Sequence, residues 1–171
     1  MGKTVLLSGR PGVGKTTLIK AIVEALPGSS GGFYTQEVRS QGTRLGFDIV
    51  TLSGVRASLA RRGAPGLPRV GRYGVYVDNV SQFAVPVIHN AVAQADCVVI
   101  DEIGKMELFC GPFRRAVLEA MRSPKKVVGT VMQASDPWAD GLKHMPGVWV
   151  LTVTTDNRCG LGEVALQLLG P

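Results

Sequence analysis

Cysteine is scarce and poorly spaced for its usual structural roles. Cys97, Cys110 and Cys159 are the three in 171 residues, with no Cys-x-x-Cys pair and no histidine partner, so neither a disulfide framework nor a zinc site is indicated. A reducing cytoplasm is the expected setting. His89 and His144 stand alone, and each is expected at the surface or in helix packing. No apolar run approaches the roughly 18 to 20 residues of a membrane span. The chain also enters an apolar strand pattern within its first residues, which leaves no room for a signal peptide, so no membrane partner is expected. Aromatic residues make up only 6%, and no recognised RNA-binding motif occurs, so nucleic acid is not an expected partner. The Asn-Lys-x-Asp base-reading motif of signalling GTPases is missing, as are internal repeats and low-complexity tracts. Acids are nearly absent from one segment. Between Arg39 and Arg72, seven arginines face a single acid, Asp48, and no lysine. The formal charge of +6 resides there, and the remainder is close to neutral.

What is present starts with Gly9-Arg10-Pro11-Gly12-Val13-Gly14-Lys15-Thr16-Thr17. Gly9, Gly14, Lys15 and Thr16 satisfy the phosphate-loop spacing G-x-x-x-x-G-K-[ST]. Glycines let the backbone turn tightly so that successive N–H groups aim at polyphosphate oxygens. The following helix N-terminus adds partial positive charge at the same spot. Lys15 is placed to reach the β- and γ-phosphates, and the Thr16 hydroxyl to ligate Mg²⁺. A glycine-rich turn joining a strand to a helix would match the same pattern, so context decides. Thr4 to Ser8 is a short apolar strand, and Lys15 to Leu26 carries Leu18, Ile22 and Leu26 on one helical face. Strand, loop and helix come in the required order.

Further on, Phe33 to Val38 and the stretch within Arg44 to Leu52 read as two strands a turn apart, hence an antiparallel hairpin. Residues 55 to 69, rich in arginine, glycine and proline, read as irregular, and Val70 to Asp78 as a strand. A helix follows to about Gln94, with Pro86 expected to kink or break it. Helix Gly111 to Ser123, strands Val127 to Met132 and Trp149 to Val153, and a last helix from about Leu161 to Leu169 complete the pattern, with Pro124, Pro137 and Pro146 marking joins. Alternating strands and helices imply one α/β domain over residues 1–171, with an open, mainly parallel sheet covered by helices on both faces. Its ligand belongs at the carboxyl ends of the strands.

Cys97-Val98-Val99-Ile100-Asp101-Glu102 is an apolar run ending in two carboxylates, as a buried central strand would. An aspartate in that position of a phosphate-loop protein holds Mg²⁺, and the next acid is placed to accept a proton from an attacking water. Asp101 is therefore assigned to the metal and Glu102 to water activation; two solvated acids opening a loop are the plain alternative. Arg39 and Arg72, at strand edges, are candidates for the γ-phosphate. Asn157 and Arg158 return the chain to the nucleotide side and are candidates for base or ribose contact. Lys105 and Glu107 are expected to order the loop after Glu102.

At this point the residues resemble a known family. Gly32 to Arg39, Gly46 to Gly54, Asp101-Glu102-Ile103-Gly104-Lys105-Met106-Glu107-Leu108-Phe109 and Asn157-Arg158 are similar to motifs of the small thermostable and cancer-related nucleoside-triphosphatases, over residue 4 to about residue 160. The resemblance implies a RecA-like phosphate-loop fold that slowly hydrolyses ATP, GTP, CTP and UTP to diphosphates with Mg²⁺ and little base selectivity. Gln36 stands where the family usually has glutamate, and Val131-Met132 where isoleucine and proline are common; both departures bear on substrate preference. A nucleotide or nucleoside kinase needs the same loop, but no second arginine-rich lid occurs late in the chain and Glu102 suits a water nucleophile. A nucleic-acid-linked ATPase switch would use the basic segment. Hydrolysis explains the most motif positions, and a cytoplasmic monomer is the expected form.

Overall fold

The computed structural model describes residues 2–170. Among them nine strands form one sheet in the order β5-β6-β4-β3-β2-β7-β8-β1-β9. Strands β2 (Ser30–Ser40), β7 (Cys97–Ile103), β8 (Lys126–Val131), β1 (Thr4–Ser8) and β9 (Val148–Thr152) run parallel. Beyond β2, the strands β3 (Thr43–Thr51), β4 (Arg56–Arg62), β6 (Tyr73–Val75) and β5 (Arg69–Val70) continue the sheet antiparallel. The fold is the expected phosphate-loop α/β type, with the hairpin enlarged to a four-strand extension.

The parallel strands are buried on both faces because alternate side chains feed two cores. Leu6, Val98 and Ile100 join one cluster with Ile88 of α3 (Val85–Gln94) and Phe113 and Val117 of α4 (Gly111–Arg122). Val5, Leu7, Cys97 and Val99 join the other, with Ile19 and Ile22 of α1 (Lys15–Ala25) and Ala165 and Leu169 of α6 (Arg158–Leu169). Near-continuous apolar strands are what this double burial demands.

Four sequence expectations change. Residues 56 to 62 are not irregular but form β4, which buries Leu59 and Ala60. Its arginines are accommodated by neighbouring strands. Arg61 donates to Asp48 Oδ1 (2.6 Å) and to the Phe47 carbonyl (2.8 Å). The strand expected from Val70 is split by a turn at Gly71 and Arg72 into β5 and β6, which pair with each other. Pro86 does not break its helix. A single turn, α2 (Val77–Asn79), widens through a π-turn at Val80–Ala84, so Pro86 falls in the first turn of α3, where no N–H is needed. Pro137 likewise opens a helix, α5 (Pro137–Lys143), whose Asp136 cap accepts from the Trp138 and Ala139 N–H groups.

Candidate active site

The loop leaves β1 after Ser8 and delivers Lys15 to the first turn of α1. Gly12 (φ 77°) and Gly14 (φ 100°) occupy left-handed backbone, which L side chains enter only with strain. Lys15 folds back over the loop, its Nζ donating to the carbonyls of Gly9 (2.8 Å) and Arg10 (2.9 Å). Its ammonium thus stands above the N–H groups that open α1, so charge and dipole reinforce each other.

Asp101 is the meeting point of four elements. Its Oδ2 accepts from Thr16 Oγ1 at the start of α1 (2.6 Å), and its Oδ1 from Thr130 Oγ1 of β8 (2.6 Å). Thr35 Oγ1 of β2 donates to the Asp101 carbonyl (2.8 Å). The β7–β8 ladder is interrupted between Ile100 and Ile103, so the two acids lie where the strand bond pattern is broken, a device that re-aims side chains. Burial pushes the Asp101 carboxyl up, opposed by the hydrogen bonds from Thr130 and Thr16 and by the charge of Lys15.

Glu102 is half-buried; burial and the Asp101 charge push its carboxyl up, while Lys15 pulls it down. Glu107, in the 3₁₀ turn Glu107–Phe109, is 3% exposed. Burial, then the nearby Glu102 charge, holds it well above the usual carboxylate range. Glu107 is the more completely enclosed of the two, and burial raises it the more strongly.

These groups line one cavity of about 900 Å³. Gly9, Pro11, Gly12 and Gly14 to Thr17 line it with Asp101 and Glu102, without Arg10 and Val13; its apolar lining includes Phe47, Leu59 and Tyr73 of the antiparallel extension, with Met106 and Met132. The Val131-Met132 departure therefore sits on the cavity wall, whereas Gln36 points to Arg56, which donates to its Oε1 at 2.8 Å.

Arg39 and Arg72 are not among the side chains lining this cavity; Arg44 is. Arg39 pairs with Arg44 near the hairpin turn, where it donates to Glu37 (2.8 Å) and the Gly42 carbonyl (3.3 Å). Arg72 lies in the β5–β6 turn, its carbonyl accepting from the Gly63 N–H. Arg44 donates to Tyr73 Oη (2.7 Å) and Glu37 Oε1 (3.0 Å) and covers the Phe47 and Tyr73 rings. Asn157 and Arg158 lie outside the cavity wall. Arg158 Nη1 is 3.5 Å from the Val13 carbonyl, beside the loop. Asn157 is exposed and holds its own loop: its Oδ1 accepts from the Thr154 N–H (2.8 Å) and its Nδ2 donates to the Thr152 carbonyl (2.9 Å).

Sequence reasoning missed Thr35, Thr130 and Arg44. Thr130 did leave a trace, as the lone hydroxyl near the end of the apolar run Val127 to Met132. Of Lys105 and Glu107, Glu107 is enclosed, while Lys105 is exposed on the cavity wall.

No three His, Cys, Asp or Glu side chains among the described residues cluster as a metal cage. The adjoining oxygens of Thr16 and Asp101 do fit a hard cation that takes one carboxylate from the protein and its other ligands from phosphates and water.

A family described as NTPase matches residues 4–165. Nucleoside-triphosphatase THEP1 of Thermotoga petrophila is 41% identical, over 96% of this chain and 92% of that protein. The human cancer-related nucleoside-triphosphatase is 43% identical, over 92% of each. The crystal structure of THEP1 from Aquifex aeolicus superposes with a TM-score of 0.88 at 36% identity, over 98% of this chain and 99% of that one. The solution structure of a human cancer-related nucleoside triphosphatase superposes with a TM-score of 0.78 at 41% identity, over 95% of each. Sequence and fold agree over nearly the whole length, and the chain belongs to the NTPase family.

Proposed function

We propose that the protein is a Mg²⁺-dependent nucleoside-triphosphatase that converts ATP, GTP, CTP and UTP to diphosphate and phosphate with little base selectivity. The observation that carries the reading is the Thr16–Asp101 hydrogen bond of 2.6 Å, which joins the phosphate loop to the carboxylate pair inside one cavity. Mg²⁺ held by Thr16, Asp101 and the phosphates would supply counter-charge to the β- and γ-oxygens.

The loop N–H groups and Lys15 hold the triphosphate, with Lys15 leaving its two carbonyl partners for the β- and γ-oxygens. Thr130 and Thr35 hold Asp101 in place. Glu102, the less enclosed of the two acids and the one beside the Lys15 charge, orients the attacking water and accepts its proton. Weak base selectivity is supported by Asn157, whose amide is spent on backbone groups. A single-domain monomer completes the reading, and the unpaired cysteines suit a reducing cytoplasm.

The test is phosphate release from each triphosphate with Mg²⁺, with and without EDTA, in the presence of nucleosides and monophosphates. Release from all four triphosphates, abolished by chelation and without a phosphorylated acceptor by mass spectrometry, is expected. A stoichiometric transfer product would make the protein a kinase, and activity indifferent to EDTA would refute the metal role of Thr16 and Asp101.

A further inference from the structure

The loop fixes the direction of a bound triphosphate. Its backbone and the α1 N-terminus take the α- and β-phosphates, and Lys15 the β- and γ-phosphates, so the γ-phosphate lies toward Asp101 and Glu102. A trigonal, phosphoryl-like transition state there carries negative charge on three equatorial oxygens. Three basic side chains line the cavity: Lys15, Arg44 and Lys105. Arg44 is committed elsewhere, with Nε on Tyr73, Nη1 on Glu37 and its plane over two aromatic rings. Lys105 is exposed and makes no hydrogen bond or ion pair with the described residues.

The reach of Lys105 follows from its neighbour. A Cβ built on Gly104 would lie 2.4 Å from Glu102 Oε1, so the Gly104 Cα is within about 4 Å of that oxygen, given a C–C bond of about 1.5 Å. The Lys105 Cα is one further step of about 3.8 Å along the chain. Its flexible four-carbon stem carries the ammonium about 6 Å from the Cα. An oxygen beside Glu102 is therefore within range of Nζ without movement of the backbone.

We propose that Lys105 is a second catalytic cation, donating to a γ-phosphate oxygen on the side away from Lys15 and stabilising the charge that develops as the terminal phosphoryl group transfers to water. The assignment rests on the hydrolase reading. It concerns a different contact from those of Lys15 and Mg²⁺, because Lys105 meets only the terminal phosphate. A diphosphate leaves it without a partner.

The experiment compares the parent with Lys105→Ala and Lys105→Arg. Each is measured for phosphate release, for melting temperature, and for affinity toward ADP, a non-hydrolysable ATP analogue, and ADP with aluminium fluoride and Mg²⁺. Lys105→Ala is expected to lower kcat by about 10²- to 10³-fold, the loss typical of one removed transition-state donor. ADP affinity should stay within about twofold, and affinity for the aluminium fluoride complex should fall by a factor close to that of kcat. Lys105→Arg should recover part of both. Parent-like kcat in Lys105→Ala overturns the proposal, as does an equal loss of affinity for ADP and the analogue, or a lowered melting temperature, which would mark a loop-ordering role. If the parent releases no phosphate from any triphosphate, the hydrolase reading fails. The ratio of analogue to ADP affinity in Lys105→Ala still decides whether the side chain meets a γ-phosphate.

Discussion

Gly104→Ala tests the placement of the general base without touching the base itself. An added Cβ would stand 2.4 Å from Glu102 Oε1 and 3.1 Å from both Cδ and Cγ, whereas ordinary contact begins at 3.4 Å. The Glu102 carboxylate must therefore withdraw by about 1 Å, and a misplacement of that size costs a reaction about 10²-fold. That loss is about 2.7 kcal/mol of barrier. Stability should change little, because the displaced atoms end a flexible side chain and Gly104 is not in left-handed backbone. Phosphate release under saturating triphosphate should show kcat reduced about 10²-fold, with ADP affinity and melting temperature close to the parent's. If both changes act through one carboxylate, Gly104→Ala combined with Glu102→Gln should be no slower than Glu102→Gln alone. Parent-like kcat in Gly104→Ala would refute the idea that this carboxylate must sit where the structure puts it. A fully additive double variant would refute the shared cause.

Lys15→Ala should abolish turnover and weaken triphosphate binding strongly, since it removes the ammonium that the loop folds over itself; normal turnover would sink the phosphate-loop assignment. Glu102→Gln should lower single-turnover hydrolysis by at least about 10²-fold while affinity for a non-hydrolysable analogue stays within a few-fold, because a positioned base contributes about 10²- to 10⁴-fold. An unchanged rate would pass the role to Glu107 or to the substrate itself. Glu107 is held well above the usual carboxylate range in the folded protein, so its contribution to stability is present below the ordinary glutamate pKa and is lost as pH rises toward its folded value. Melting curves of Glu107→Gln and the parent should therefore diverge in favour of the variant as pH rises above the ordinary glutamate range. Curves that stay parallel would show that Glu107 is not kept neutral by the fold.

The chemistry of the phosphate loop was legible in the sequence because it is local. Nine consecutive residues carry the turn, the cation and the hydroxyl, and the flanking strand and helix are written in adjacent apolar patterns. Asp101 and Glu102 were legible for a related reason, since a continuous apolar run marks a strand buried on both faces and its end marks the ligand side. What the tertiary structure decided depends on partners far away in the chain. Residues 56 to 62 become a strand only because β3 and β6 flank them and Asp48 neutralises Arg61. Arg44 rather than Arg39 lines the cavity because the fold brings Tyr73 of β6 and Phe47 of β3 against its guanidinium. Thr130 and Thr35 reach Asp101 only once β8 and β2 lie on either side of β7. Glu107 reads as a polar loop residue, since composition places glutamate outside. Its burial is set by the walls that β7, the 3₁₀ turn and α4 build around it.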